Sequence, residues 1–391
     1  ARRPTTDDRR PTTDSRSTHD PPTTEPMATT FFTGYPGFLG AELLPRVLNR
    51  SDDSRAVCLV QPRFAGLAHE RLGTASARWP VLRGRVDLME GDITRPDLGL
   101  GDGAAIAAVR DDISEIYHLA AIYDLSVHRD VALRVNVDGT RNVLRLAQEV
   151  PRLQRFHYVS TCYVSGRYPG VFREDQLEEG QTFNNAYEET KYLAEVEVQR
   201  AAKAGLPTTI YRPAIVVGDS LTGETQKYDG PYFVIQWLAR QPRIAVMPVV
   251  GDTRHTFVNV VPRDYVVRAI TRLSSLEASA GKVYQLADPQ PLSVHDMLDV
   301  LEQAMGRRLL RIPLPLGVAK LALDRVPGVY RLMRIPSSSL DYFVLPTRYA
   351  TGQAETDLAG SGIEVPRFEA YVKRLVEFVE AHPEIGSAAM A

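Results

Sequence analysis

The sequence predicts an α/β fold, a doubly wound parallel sheet that carries a smaller, mostly helical C-terminal lobe. Three observations predict it. Apolar runs rich in β-branched and aromatic residues alternate with helix-period stretches from Thr29 to Tyr211. The first run leads through a glycine-spaced turn straight into a helical pattern, and after Gly218 the alternation gives way to loop and helix. The chain has 391 residues, 44% hydrophobic and 24% charged, which suffices for a sizeable core.

The 46 Lys and Arg nearly balance the 48 Asp and Glu, so no one-signed field is present to hold a nucleic acid backbone. Cys58 and Cys162 lie far apart in apolar runs, as expected of buried thiols in a reducing, cytoplasmic setting, and the eight histidines show no paired ligand spacing, so no metal is expected. No run of 18 apolar residues is present, so no transmembrane helix is expected. Residues 1–26 contain no Leu, Ile, Val, Met, Phe, Tyr or Trp, and their five Arg cancel four Asp and one Glu. With nothing to bury, this stretch is expected to be a disordered tail or a leader, with Met27 as a native start.

Thr29–Phe32 is the first expected strand, and Ala41–Leu48 the first helix. Between them Gly34, Gly37 and Gly40 follow a GxxGxxG spacing. Such a turn binds a dinucleotide: the first glycine permits the tight bend, the second lets backbone approach a pyrophosphate, the third lets helix and strand pack, and the helix N-terminus faces the phosphates. Tyr35, Pro36, Phe38 and Leu39 complete this expected contact, and the fold is therefore read as Rossmann-type. Arg55–Val60 is the second strand, after which an NAD-specific site places a carboxylate on the ribose 2′-hydroxyl. Here Gln61, Pro62 and Arg63 follow, and Arg63 suits a 2′-phosphate, so NADPH (NADP) is favoured over NADH. Val86–Asp92 is the third strand. Asp92 at its end either accepts from the adenine amino group or caps a turn. Ile93, and Ala120 and Ala121 at the end of the apolar run Ile116–Ala121, join the expected cofactor wall, with Pro213 after Thr208–Tyr211.

The strand Arg155–Ser160 ends in Ser160-Thr161, and Tyr187 and Lys191 lie four apart on a helix opened by Asn184 or Asn185 and closed by Gly205. A phenol of ordinary pKa is a poor acid at neutral pH. A neighbouring ammonium favours its phenolate and is expected to bring it toward the working range. The Thr161 hydroxyl would hold the substrate oxygen beside Tyr187.

The set TGxxGFLG, HLAA, VST, YxxxK and Arg212-Pro213 resembles the extended short-chain dehydrogenase/reductase superfamily from about Met27 to Tyr265. Within it, Gly91–Leu100, Tyr117–Asp124, Val159–Val164 and Phe183–Lys191 followed by Ala194-Glu195 resemble fatty acyl-CoA reductases and thioester reductase domains. The resemblance implies a catalytic set of Thr161, Tyr187 and Lys191, with Lys191 also bonding the nicotinamide ribose, and implies that Asn136 supports the lysine. Alignment with Gly166 selects Thr161 over Ser160. Gln61 departs from the arginine common in thioester reductases, which shifts the 2′-phosphate to Arg63. His118 reads as a space-filler under the nicotinamide, and Cys162 as strand packing.

The expected organisation is a cofactor-binding core over 27–217, rejoined by 257–287, and a substrate lobe of 218–256 and 288–391. Leu309–Leu345 mixes apolar residues with Arg311, Lys320, Arg325, Arg331 and Arg334. It is read as an acyl tunnel with a basic mouth, a peripheral membrane contact, or a packed helical subdomain. The expected function is NADPH-dependent reduction of an acyl thioester, of the fatty acyl-CoA type, to aldehyde or alcohol. Two readings stand beside it: a dehydrogenase or reductase of a simple carbonyl, sterol or nucleotide sugar, and a non-enzymatic dinucleotide sensor. The expected partner is the small-molecule substrate, and a homodimer is the candidate assembly.

Overall fold

A computed structural model describes residues 28–101, 104–123, 127–326 and 328–386. The expected tail 1–26, Met27 and Asp124 lie outside the described residues.

Seven strands form one parallel sheet, numbered here β1 (Ala28–Thr33), β2 (Ser54–Val60), β3 (Val86–Glu90), β4 (Ile113–His118), β5 (Arg155–Val159), β6 (Thr208–Pro213) and β7 (Val283–Leu286). Their spatial order is β3-β2-β1-β4-β5-β6-β7. The order reverses between β1 and β4, and the crevice above that switch point is where such sheets bind ligands. In β1, β5 and β6 nearly every residue is buried, because helices cover both faces of the sheet. On one face Leu43, Leu44 and Val47 of the helix Gly40–Leu48 pack with Val266, Ile270 and Leu273 of the helix Arg263–Ser274. On the other, Val143 and Leu146 meet Ala194 and Val198 of the helix Ala186–Lys203.

That second face contains an irregularity. The helix that begins at Arg129 is α-helical to Ala132, π-helical over Leu133–Asp138 and α-helical again from Gly139 to Glu149. Asn136 sits in the wide turn.

A separate apolar cluster makes the lobe. It joins the helices Pro231–Ala239, Val294–Met305 and Phe368–Ala381, roofed by the two parallel strands Ile244–Val250 and Arg308–Leu314. The stretch 288–391 is not all lobe, however. Thr347–Tyr349 pairs with Gly170–Phe172, and the helix Gly352–Leu358 buries Ala354 and Leu358 in the core cluster. The Glu174 carboxylate anchors it by accepting from the backbone N–H groups of Gln353, Ala354 and Gln285. In Leu309–Leu345, Arg311 is paired with Asp299 and Lys320 with Asp341, so two of the expected free basic groups are neutralised. No described helix is long and apolar enough to cross a membrane.

Candidate active site

The glycine turn is built around one carbonyl. Gly34 has φ +92°, and a Cβ there would stand 2.8 Å from the Ala120 nitrogen. A Cβ on Gly37 or Gly40 would stand 2.7 or 2.5 Å from the Gly34 oxygen. Gly37 also has a local reason to lack a side chain: the turn closes on itself through Gly37 N–H to Gly34 O at 2.9 Å. No side chain caps the helix that follows. A cradle stripped of Cβ atoms below an uncapped helix N-terminus fits a dinucleotide phosphate.

A cavity of about 610 Å³ opens above this turn, and Tyr35, Pro36, Phe38, Leu39, Ile93, Ala120, Ala121 and Pro213 all line it. Arg63 lines it too; its guanidinium donates to Gln61 Oε1 at 3.0 Å and lies 4.7 Å over the Phe64 ring. Asp92 does not line the cavity. Its carboxylate accepts from Thr94 N–H at 2.9 Å, the turn-capping alternative, because the backbone bends back there to join Asp92 N–H to Leu98 O.

At the cavity floor the helix Ala186–Lys203 starts at Asn185, whose side chain accepts from Glu188 N–H, while Glu188 accepts from Asn184 N–H. This reciprocal cap fixes the first turn and so places Tyr187. Tyr187 and Thr161 both line the cavity, and the Thr161 hydroxyl donates to Pro213 O at 3.4 Å. Thr161 also accepts from Tyr163 N–H. Ser160 is turned elsewhere, its hydroxyl donating to Glu195 at 2.5 Å.

Lys191 is 3% exposed and donates from Nζ to the Tyr158 hydroxyl and the Val159 carbonyl, each at 2.9 Å. Burial pulls its pKa down to about 7, against the opposing pull of Glu195. Burial likewise pushes Tyr187 up to about 12, although the Thr161 hydroxyl acts the other way. The expectation of a phenol lowered toward neutrality is thus reversed. Desolvation is the largest influence on the phenol, and the charges of Glu188 and Asp229 push the same way.

Asn136 and Lys191 bond to different partners. The Asn136 amide accepts from Ile122 N–H at 2.8 Å and donates to Ile122 O and to Thr190 Oγ1, each at 3.0 Å, tying the loop after β4 to the helix Ala186–Lys203. Beneath it runs a directed chain. Thr140 donates to Asn136 O at 2.6 Å, so His118 Nε2 donates to Thr140 Oγ1, and His118 Nδ1 accepts from Thr33. Burial drops the His118 pKa to about 3, which keeps the ring neutral in this chain.

The site is held from outside by a buried ion pair. Arg212 and Glu195, both without exposed side-chain surface, meet at 2.6 Å. Arg212 also donates to Gln176 O at 2.8 Å. Cys162 is a buried thiol against Arg212 O, its pKa raised by burial. Among the described residues no His, Cys, Asp and Glu group could hold a metal.

Several lining residues carry no signal in the sequence. Arg71 donates to Pro36 O and Gln226 Oε1, bridging the glycine turn to the segment 225–231. Tyr123, Lys227 and Asp229 form one wall, and Tyr342 accepts from the Asn185 side-chain amide at 3.0 Å. Their signal is three-dimensional, since each comes from a loop or helix with no motif. Beyond them the cavity turns apolar at Phe233, Val258, Met297, Leu298 and Leu301.

Comparison with known proteins agrees with this geometry. The terminal R domain of the myxalamid PKS-NRPS biosynthetic pathway superposes with a TM-score of 0.78 at 27% identity, covering 93% of both chains. A linear gramicidin synthase polypeptide of Brevibacillus parabrevis is 31% identical over 69% of this chain. A non-canonical nonribosomal peptide synthetase, cpsA of Aspergillus campestris, is 30% identical over 72%. This chain spans only 5% and 28% of those two proteins. The family described as male sterility protein matches residues 32–270, and the chain belongs to it: an NAD(P)-binding oxidoreductase of the extended short-chain dehydrogenase/reductase type.

Proposed function

We propose that the chain is an NADPH-dependent reductase of acyl thioesters. The observation that carries this reading is the continuity of one cavity, from the glycine turn past Thr161 and Tyr187 to the apolar wall at Met297 and Leu301. A polar reacting end joined to a long apolar end suits an acyl chain. Bound NADPH supplies the hydride. Tyr187 and Thr161 donate hydrogen bonds to the oxygen as it gains negative charge, and Tyr187 gives it a proton. Lys191, which lines the same cavity and donates to the Tyr158 hydroxyl and the Val159 carbonyl, would bond the nicotinamide ribose. Arg63 would hold the 2′-phosphate, and Arg71 joins the glycine turn to the segment 225–231. Collapse of the hemithioacetal then releases aldehyde and thiol, with no acyl-enzyme.

The two synthetases above are peptide-synthetase proteins, and a structure described as a thiolation-reductase di-domain shares the fold with a TM-score of 0.70 at 22% identity. The favoured substrate is accordingly a thioester on a phosphopantetheine carrier, ahead of free acyl-CoA. The test is a panel of matched carrier-bound, pantetheine and CoA thioesters, following NADPH oxidation, free thiol and product. Turnover confined to ketones or nucleotide sugars overturns the assignment.

A further inference from the structure

Thr161 and Tyr187 account for the substrate oxygen in the proposed reaction, but the departing sulfur needs a proton as well. The carbon–sulfur bond breaks to a thiolate whose thiol has a pKa of about 8.5 or above in water, so near neutral pH that sulfur ends as a thiol. The wall formed by the segment 225–231 carries an ionised pair that the reaction above does not use. Lys227 is 9% exposed, lines the cavity, and holds its ammonium 3.6 Å from the centroid of the Tyr123 ring. Its salt-bridge partner is Asp229, which lines the same cavity. The Asp229 charge is felt by both Tyr187 and Tyr123, so pair and phenol share one field. Thr225 fixes the backbone by donating to Lys227 O at 3.1 Å. Lys227 is the withdrawn member of the pair, its side chain 11% exposed against 35% for Asp229, so the ammonium lies at the cavity wall while the carboxylate keeps water beside it.

We propose that Lys227 is the acid that protonates the departing sulfur. The inference rests on the thioester reading. In the collapse, Tyr187 as phenolate takes the hydroxyl proton of the tetrahedral adduct and the carbonyl forms. The carbon–sulfur bond breaks with its electron pair on sulfur, and that sulfur takes a proton from the Lys227 ammonium. Aldehyde and thiol leave, Tyr187 is a phenol again, and the Lys227 amine regains its proton from water beside Asp229. No further oxidant or reductant is needed.

The experiment compares two thioesters of one acyl group in the full chain, one of pantetheine and one of an aryl thiol, whose thiolate departs without protonation. Lys227→Met is expected to lower kcat/KM for the pantetheine ester about 100-fold and for the aryl ester at least tenfold less. Lys227→Met/Asp229→Asn removes both charges, so that no orphaned carboxylate disturbs the fold, and is expected to show the same ratio. Lys227→Arg keeps the charge without a transferable proton and is expected to follow Lys227→Met. Equal losses for both esters, or full activity in Lys227→Arg, overturn the assignment while leaving the thioester reading intact. A wild-type chain that reduces neither ester overturns that reading and this inference with it.

Discussion

Lys191 gives the sharpest quantitative test of the site. Its pKa falls from 10.5 to about 7 in the folded, cofactor-free protein because the ammonium is buried. Below pH about 7 the lysine is protonated in both folded and unfolded chains, and folding bears the full penalty of burying the charge. Between about 7 and 10.5 the unfolded chain holds a proton that the folded one lacks, so stability rises with pH by about 1.4 kcal/mol per unit. Allowing for half-protonation at the start, the rise from about pH 7 to about pH 9 is about 2–3 kcal/mol. Lys191→Met removes the titration while keeping an unbranched apolar stem. The assay is urea denaturation of both proteins, without cofactor, across that range. Taking the difference between them cancels every other titrating group. The variant is expected to be the more stable at about pH 7, with an advantage that shrinks by about 2–3 kcal/mol toward about pH 9. A difference that stays flat with pH refutes a buried, depressed lysine.

Three further outcomes follow from the geometry. Tyr187→Phe is expected to lower kcat about 100-fold or more with the dissociation constant for NADPH changed less than about twofold; unchanged turnover removes the phenol from the proton path. Arg63→Ala is expected to raise KM for NADPH about tenfold and to leave KM for NADH within about twofold, since only the former carries the 2′-phosphate; equal effects discard that contact. Glu195→Gln orphans the fully buried Arg212 and is expected to destabilise the fold by about 3–5 kcal/mol in denaturation, whereas Glu195→Leu/Arg212→Met is expected to lose less. If the double variant is the weaker protein, the pair contributes net stability.

The parallel sheet was legible because strands buried on both faces read as continuous apolar runs, as in Ala56–Val60 and Phe156–Val159. The glycine turn was legible as spacing, and Tyr187 and Lys191 as a helical pair. Spacing shows which side chains share a face; it says nothing about how much water reaches them, and so the direction of the Tyr187 shift lay beyond it. Contacts between distant segments were equally out of reach. Nothing near Glu174 in sequence announces that it caps a helix beginning at Gly352, and this contact returns 347–365 to the core. Gln226 and Lys227 read as charged loop until the fold lays them against Arg71 and Tyr123.

The π-helical turn at Leu133–Asp138 has a consequence for how this chain can vary. Its wider winding accommodates one residue more than an α-helix would over the same path. Deleting one residue there would let the helix close to ordinary α winding over the same path, so Val143, Leu146 and Ala147 of Gly139–Glu149 would keep their places in the core. The loss would be local: the widened turn that carries Asn136, and with it the bonds from Asn136 to Ile122 and Thr190. At this place the packed core should absorb the removal of a residue that the wall of the cavity would not.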